Sequence, residues 1–149
     1  MIAARITSRV QAGINFRFPY PTGGHADDAC NWEADDKHTT TIHSQDDQSV
    51  VLKRQLDDTE YYVTIRWEGS ARLSEKSKNY FVLKPEADTF AFTCAFNPSA
   101  PTTETITAEE TQLAAATYWT SFWKDGAAVD FSKCTDPRAK ELERRVVLS

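Results

Sequence analysis

The densest chemistry in the chain lies between residues 25 and 38. His25, Asp27, Asp28, Trp32, Asp35, Asp36 and His38 follow one another there, with Tyr20 just ahead of them. Carboxylates accept hydrogen bonds from hydroxyl groups, and the flat faces of Trp32 and Tyr20 can stack on a pyranose ring. The combination makes these residues a candidate carbohydrate-binding site. A plainer use of the same residues is a solvated acidic loop whose aspartates make turns and cap backbone amides. Metal binding is a third use, with Asp27, Asp28, Asp35 and Asp36 as hard oxygen ligands or His25 and His38 joining them around a transition metal. The spacing matches neither a calcium-binding helix–loop–helix nor a paired-histidine helix, so no metal and no other cofactor is expected. Carboxylate pairs cleave glycosides when held roughly 5–5.5 Å or 6.5–9.5 Å apart. Here the pairs are adjacent in sequence, and one loop rarely sets both members on opposite sides of a bond, so no catalytic residue is expected. The chain also lacks a serine–histidine–aspartate signature, a glycine-rich phosphate loop and a nucleotide fingerprint.

Something rigid must hold this loop. Residues 2–10 and 13–18 read as two strands, the second with Ile14, Phe16 and Phe18 on one side and Asn15 and Arg17 on the other. The run Pro19 to Gly24, with two prolines and two glycines, should break the sheet, leaving 23–37 as one long polar loop. Strand signals resume at Thr39–His43 and Ser49–Arg54, a turn follows at Leu56–Thr59, and Tyr61–Trp67 is the strongest strand by composition. A polar stretch runs from Glu68 to Lys78. Two more strands follow at Tyr80–Leu83 and Thr89–Phe96. Many short strands joined by turns predict an antiparallel sandwich.

Asn97–Pro101 changes the character of the chain. Thr107 with Glu110 three residues on has the form of a capping box, and the spacing predicts a helix over about 108–124. Its face of Ala115, Trp119, Phe122 and Trp123 is expected to pack, either on the sandwich or on another domain. Asp125–Gly126 stops it. Asp136–Pro137 starts a second helix with a stripe of Ala139, Leu142 and Val146. The predicted fold class is therefore mainly β, an antiparallel sandwich over residues 1–97 followed by a linker and two C-terminal helices over 98–149. The second helix has no glycine cap or proline after it, and its apolar end suggests that more protein belongs there.

Composition narrows the function classes. The chain has 149 residues, enough for one real core. Its net charge of −5 disfavours a phosphate-rich partner, so no nucleic acid is expected. No apolar run approaches the ~20 residues that span a bilayer, so no membrane is expected either. The first residues alternate like a strand and lack the apolar core of a signal peptide, which leaves the compartment open. Cys30, Cys94 and Cys134 have no Cys-x-x-Cys spacing. They read as buried or incidental thiols, with a Cys30–Cys94 or Cys94–Cys134 bridge open to a secreted parent protein.

One resemblance spans most of the chain. The run Tyr118–Ser132, with Thr135–Arg138 and Glu141–Ser149, resembles the sandwich-to-barrel junction of six-hairpin glycosidases. Phe18–His25, continuing through Asp35–His38, is similar to the later part of the sandwich in such proteins. The resemblance implies that residues 1–97 are part of a super-sandwich and that an (α/α)6 barrel carrying the general acid and its partner follows Ser149. It therefore implies a fragment without catalytic residues, whose partner is the barrel domain of the parent protein. The leading expectation is a non-catalytic accessory region of a glycoside hydrolase-like protein. A free-standing carbohydrate-binding module, or a structural and interaction domain without ligand, are the alternatives.

Overall fold

The computed structural model describes the chain except for residues 9–11, 26–28, 102–105, 127–128 and 149. Ten strands and two helices follow in order: β1 (Ile2–Thr7), β2 (Ile14–Arg17), β3 (Tyr20–Pro21), β4 (Cys30–Asn31), β5 (His38–Gln45), β6 (Ser49–Leu56), β7 (Thr59–Glu68), β8 (Ala71–Ser77), β9 (Tyr80–Pro85), β10 (Thr89–Asn97), α1 (Ala108–Asp125) and α2 (Ala139–Leu148). The chain divides into two compact units, Met1–Thr111 and Gln112–Ser149.

The first unit is a sandwich, and every strand pair in it is antiparallel. One sheet has the order β1-β10-β7-β6-β5 and the other β2-β9-β8, while β3 and β4 form a separate two-stranded ladder. Alternation fills the space between the sheets, because successive side chains of a strand point to opposite faces. Val50 and Leu52 of β6, Val63, Ile65 and Trp67 of β7, and Phe90, Phe92 and Cys94 of β10 face Phe81 and Leu83 of β9 in one core. Each such large side chain contributes about 1.5–3 kcal/mol when fully buried. Phe16 of β2 meets Phe92 of β10 edge to face, with ring centroids 5.6 Å apart, which ties the two sheets together.

Two parts of the sheet differ from the sequence expectation. The polar stretch after Glu68 contains β8, which pairs with β9 from Ala71↔Pro85 to Ser77↔Tyr80. Only Ala71 and Leu73 of β8 pack on the core. Its remaining residues carry little strand propensity, and the ladder to β9 holds them extended. The 23–37 loop is also not continuous. Cys30 pairs with Pro21 and Asn31 with Tyr20, so a proline sits in the short ladder that was expected to be broken there. Two residues suffice for this pairing because Thr22 N–H also donates to the Ala29 carbonyl, at 2.9 Å.

Two hairpin turns depend on residues that accept a left-handed backbone. Asp57 and Asn79 have φ of 48° and 60°, a region that Asn and Asp tolerate better than other side chains. Asp57 sits in the two-residue turn between β6 and β7, and Asn79 in the one between β8 and β9.

The capping box forms as expected. Thr107 N–H and hydroxyl both reach Glu110 Oε2, at 2.7 and 2.8 Å, and Glu110 N–H returns to Thr107 Oγ1 at 3.2 Å. At the second helix the Asp136 carboxylate accepts from Arg138 N–H at 2.8 Å. Part of the aromatic face of α1 is exposed in this chain. Trp119 is 52% and Trp123 42% exposed, with Tyr118 beside them at 61%. In α2, Ala139 is buried but Leu142 and Val146 are exposed. No disulfide joins any two of Cys30, Cys94 and Cys134. Cys94 is buried, and desolvation pushes its thiol up to about 11. No described helix is long and apolar enough to cross a membrane.

Candidate functional site

At one end of the sandwich the inward row of β6 continues from Val50 and Leu52 to Arg54. This arginine is 1% exposed. Burying a guanidinium is tolerable only if its protons find acceptors. Nη1 donates to Thr40 Oγ1 at 2.6 Å, to His38 Nδ1 at 2.8 Å and to Asn79 Oδ1 at 3.3 Å, while Nε reaches the Tyr61 hydroxyl at 3.3 Å. The guanidinium carbon lies 4.8 Å from the centre of the Phe18 ring and 5.8 Å from that of Tyr61, so aromatic faces offset part of the desolvation cost.

The second ring of contacts locks this cluster to the loop. Thr40 donates to Asn79 Oδ1 at 2.8 Å, and Asn79 Nδ2 donates to the Asp35 carbonyl at 3.3 Å. Arginine stays protonated, so His38 Nδ1 must accept from it and the ring proton sits on Nε2. Nε2 lies 3.7 Å from Asp35 Oδ1. Burial, and next the nearby Arg54 charge, hold His38 below its ordinary imidazole value, while Asp35 pulls weakly the other way. His38 is therefore a neutral bridge between a buried cation and a surface carboxylate.

The loop's aromatics are pinned as well. Tyr20 donates its hydroxyl to the Asp57 carboxylate at 2.9 and 3.1 Å, and that hydrogen bond is the main reason its phenol is held above the ordinary value. Its ring lies 5.9 Å from His38 and 5.6 Å from Lys37 Nζ. Trp32 is 40% exposed. Arg17 stacks 4.8 Å from the centre of the Trp32 ring and donates from Nη2 to the Trp32 carbonyl at 3.1 Å.

Of the residues singled out in the sequence, the structure thus brings Tyr20, Asp35 and His38 into one network and sets Trp32 beside it on Arg17. Asp36 is exposed and acts on His38 only through its charge. His25 is exposed on the loop and takes no part in the Arg54 network. Asp27 and Asp28 lie outside the described residues. Among the described residues no group of three or more His, Cys, Asp and Glu is placed to hold a metal ion. Sequence reasoning missed Arg54, Thr40, Asn79 and Asp57. The signal for Arg54 was a charged residue on the inward side of a strand, and for Asp57 and Asn79 a turn position that favours a left-handed backbone.

The cluster ties the loop to β5, β6 and the turn between β8 and β9. Its one histidine is 3% exposed, and its hydrogen-bonding groups are occupied by one another. Comparison of the chain with protein-family models, with curated proteins and with solved structures found no match.

Proposed function

We propose that the chain is a non-catalytic accessory region of a carbohydrate-active, glycoside hydrolase-like protein, in which the sandwich supports a catalytic barrel through the helical segment. The observation that carries this reading is the uncovered aromatic face of α1, where Tyr118, Trp119 and Trp123 stand exposed together. Contiguous exposed aromatics favour burial against a partner. The same segment, Tyr118 onward, carries the resemblance to the sandwich-to-barrel junction of six-hairpin glycosidases. One stretch of chain thus supplies both a surface in need of a cover and a likeness to a place where a barrel supplies one. The sealed state of the His38–Arg54 cluster agrees with a supporting role for the sandwich.

The test is turnover of a panel of aryl α- and β-glycosides by the purified chain. The reading predicts rates equal to buffer alone. Hydrolysis that disappears in an Asp35→Ala variant of unchanged thermal stability would contradict it, since catalysis would then reside in the sandwich.

A further inference from the structure

The outer face of the small sheet has a composition that neither the core nor the buried cluster requires. Strand alternation and pairing place it: Ala71 and Leu73 face inward, so Arg72 and Ser74 face outward, opposite Lys84 and Val82 of β9. Val82 pairs in turn with Asn15, and Tyr80 with Arg17. The bulge between Glu75 and Ser77 swings Lys76 onto the same face, where its Nζ lies 5.0 Å from the centre of the Tyr80 ring. Arg17 extends the face to Trp32 through their 4.8 Å stacking contact. Tyr80 donates its hydroxyl to Asn15 Oδ1 at 3.0 Å, which fixes its ring.

Arg17, Arg72, Lys76 and Lys84 are all exposed, and among the described residues none of the four forms an ion pair. In a chain of net charge −5, these cations, gathered on one face and unpaired among the described residues, make a local positive field. They form two rows. Arg72 and Lys84 are directly paired across neighbouring strands, about 4.8 Å apart in backbone, and the Lys76–Tyr80–Arg17–Trp32 row lies about 13 Å further along.

From this arrangement we infer that the outer face of β2, β9 and β8 binds an acidic polysaccharide, a chain of sugars bearing ring carboxylates. Cations at both ends meet the carboxylates, and Trp32 and Tyr80 between and beside them offer flat faces to the pyranose rings. A nucleic acid is the competing polyanion, and the experiment below separates the two. This surface belongs to the first unit and shares no residue with the aromatic face of α1, so it binds whether or not a barrel covers that face.

The experiment is titration calorimetry of the whole chain with polygalacturonate at low salt, with dextran as the neutral polymer and single-stranded DNA of equal charge as the competing polyanion. Expected is binding to polygalacturonate that weakens as salt screens the charges. An Arg72→Ser/Lys84→Ser variant should lose at least about tenfold in affinity. Trp32→Ala should reduce affinity for polygalacturonate too, while Lys140→Ser on α2 should leave it unchanged. The surface substitutions are solvent-facing, and equal thermal midpoints confirm that each variant is folded. The inference is overturned by absence of polygalacturonate binding at low salt, by equal affinity in the Arg72→Ser/Lys84→Ser variant, or by tighter binding of the DNA.

Discussion

Arg54 is the residue on which the loop-bearing end of the sandwich depends. It donates to Thr40, His38, Asn79 and Tyr61 from one buried position. Arg54→Leu removes those donors while keeping much of the apolar stem. The expected loss is about 3 kcal/mol, because several buried acceptors are left unpaired at once; urea unfolding of the two proteins measures it, and a loss under about 0.5 kcal/mol would mean the network contributes little. His38 gives this end a pH dependence of definite sign. Its folded value lies below the ordinary 6.5, so between the two values the folded chain binds fewer protons than the unfolded one. Stability from neutral His38 is complete above about pH 6.5 and is lost as pH falls through the folded value. Thermal midpoints at about pH 7 and about pH 5 should therefore drop in the native protein and drop less in His38→Gln. The carboxylates whose values are lowered, such as Glu60 and Asp46, add their own losses at lower pH. Equal drops in both proteins would assign the effect to another group. At this scale the sequence pointed to the loop but not to the buried side chain that anchors it. Tyr20, Asp35 and His38 were visible as chemistry-bearing types, yet only the fold reveals that Arg54 consumes His38 and that Asp57 consumes Tyr20.

Elements were legible where one physical signal dominated. Tyr61–Trp67 reads as a strand from β-branched and aromatic residues alone, and the structure extends it to Thr59–Glu68. The capping box was equally plain, since Thr107 and Glu110 need only each other and the local backbone. Removing it in Thr107→Ala should cost about 1 kcal/mol, read as a lower midpoint of the helical circular dichroism signal, while Glu110→Ala in the same background should add little because both partners act as one unit. The strand β8 was illegible for the opposite reason. Arg72, Ser74, Glu75, Lys76 and Ser77 carry no strand preference, and their conformation is imposed by the ladder to β9, a long-range cause that composition cannot reveal. The β3–β4 ladder was hidden in the same way, because Pro19 and Pro21 signalled a break whereas two residues of pairing and one flanking hydrogen bond sufficed.

For the molecule as a whole, the sandwich followed by two helices was readable from the change in periodicity near Asn97, and the apolar face of α1 was readable from its spacing. What spacing cannot report is whether a face is covered. The structure leaves Trp119 and Trp123 exposed, and the account of an accessory region rests on that. The most direct test is fluorescence of 1-anilinonaphthalene-8-sulfonate with the purified chain at temperatures well below unfolding. The account predicts strong dye binding to the native protein that falls sharply in a Trp119→Gln/Trp123→Gln variant. A native chain that unfolds cooperatively and leaves the dye dark would contradict it, because the aromatic face would then need no partner.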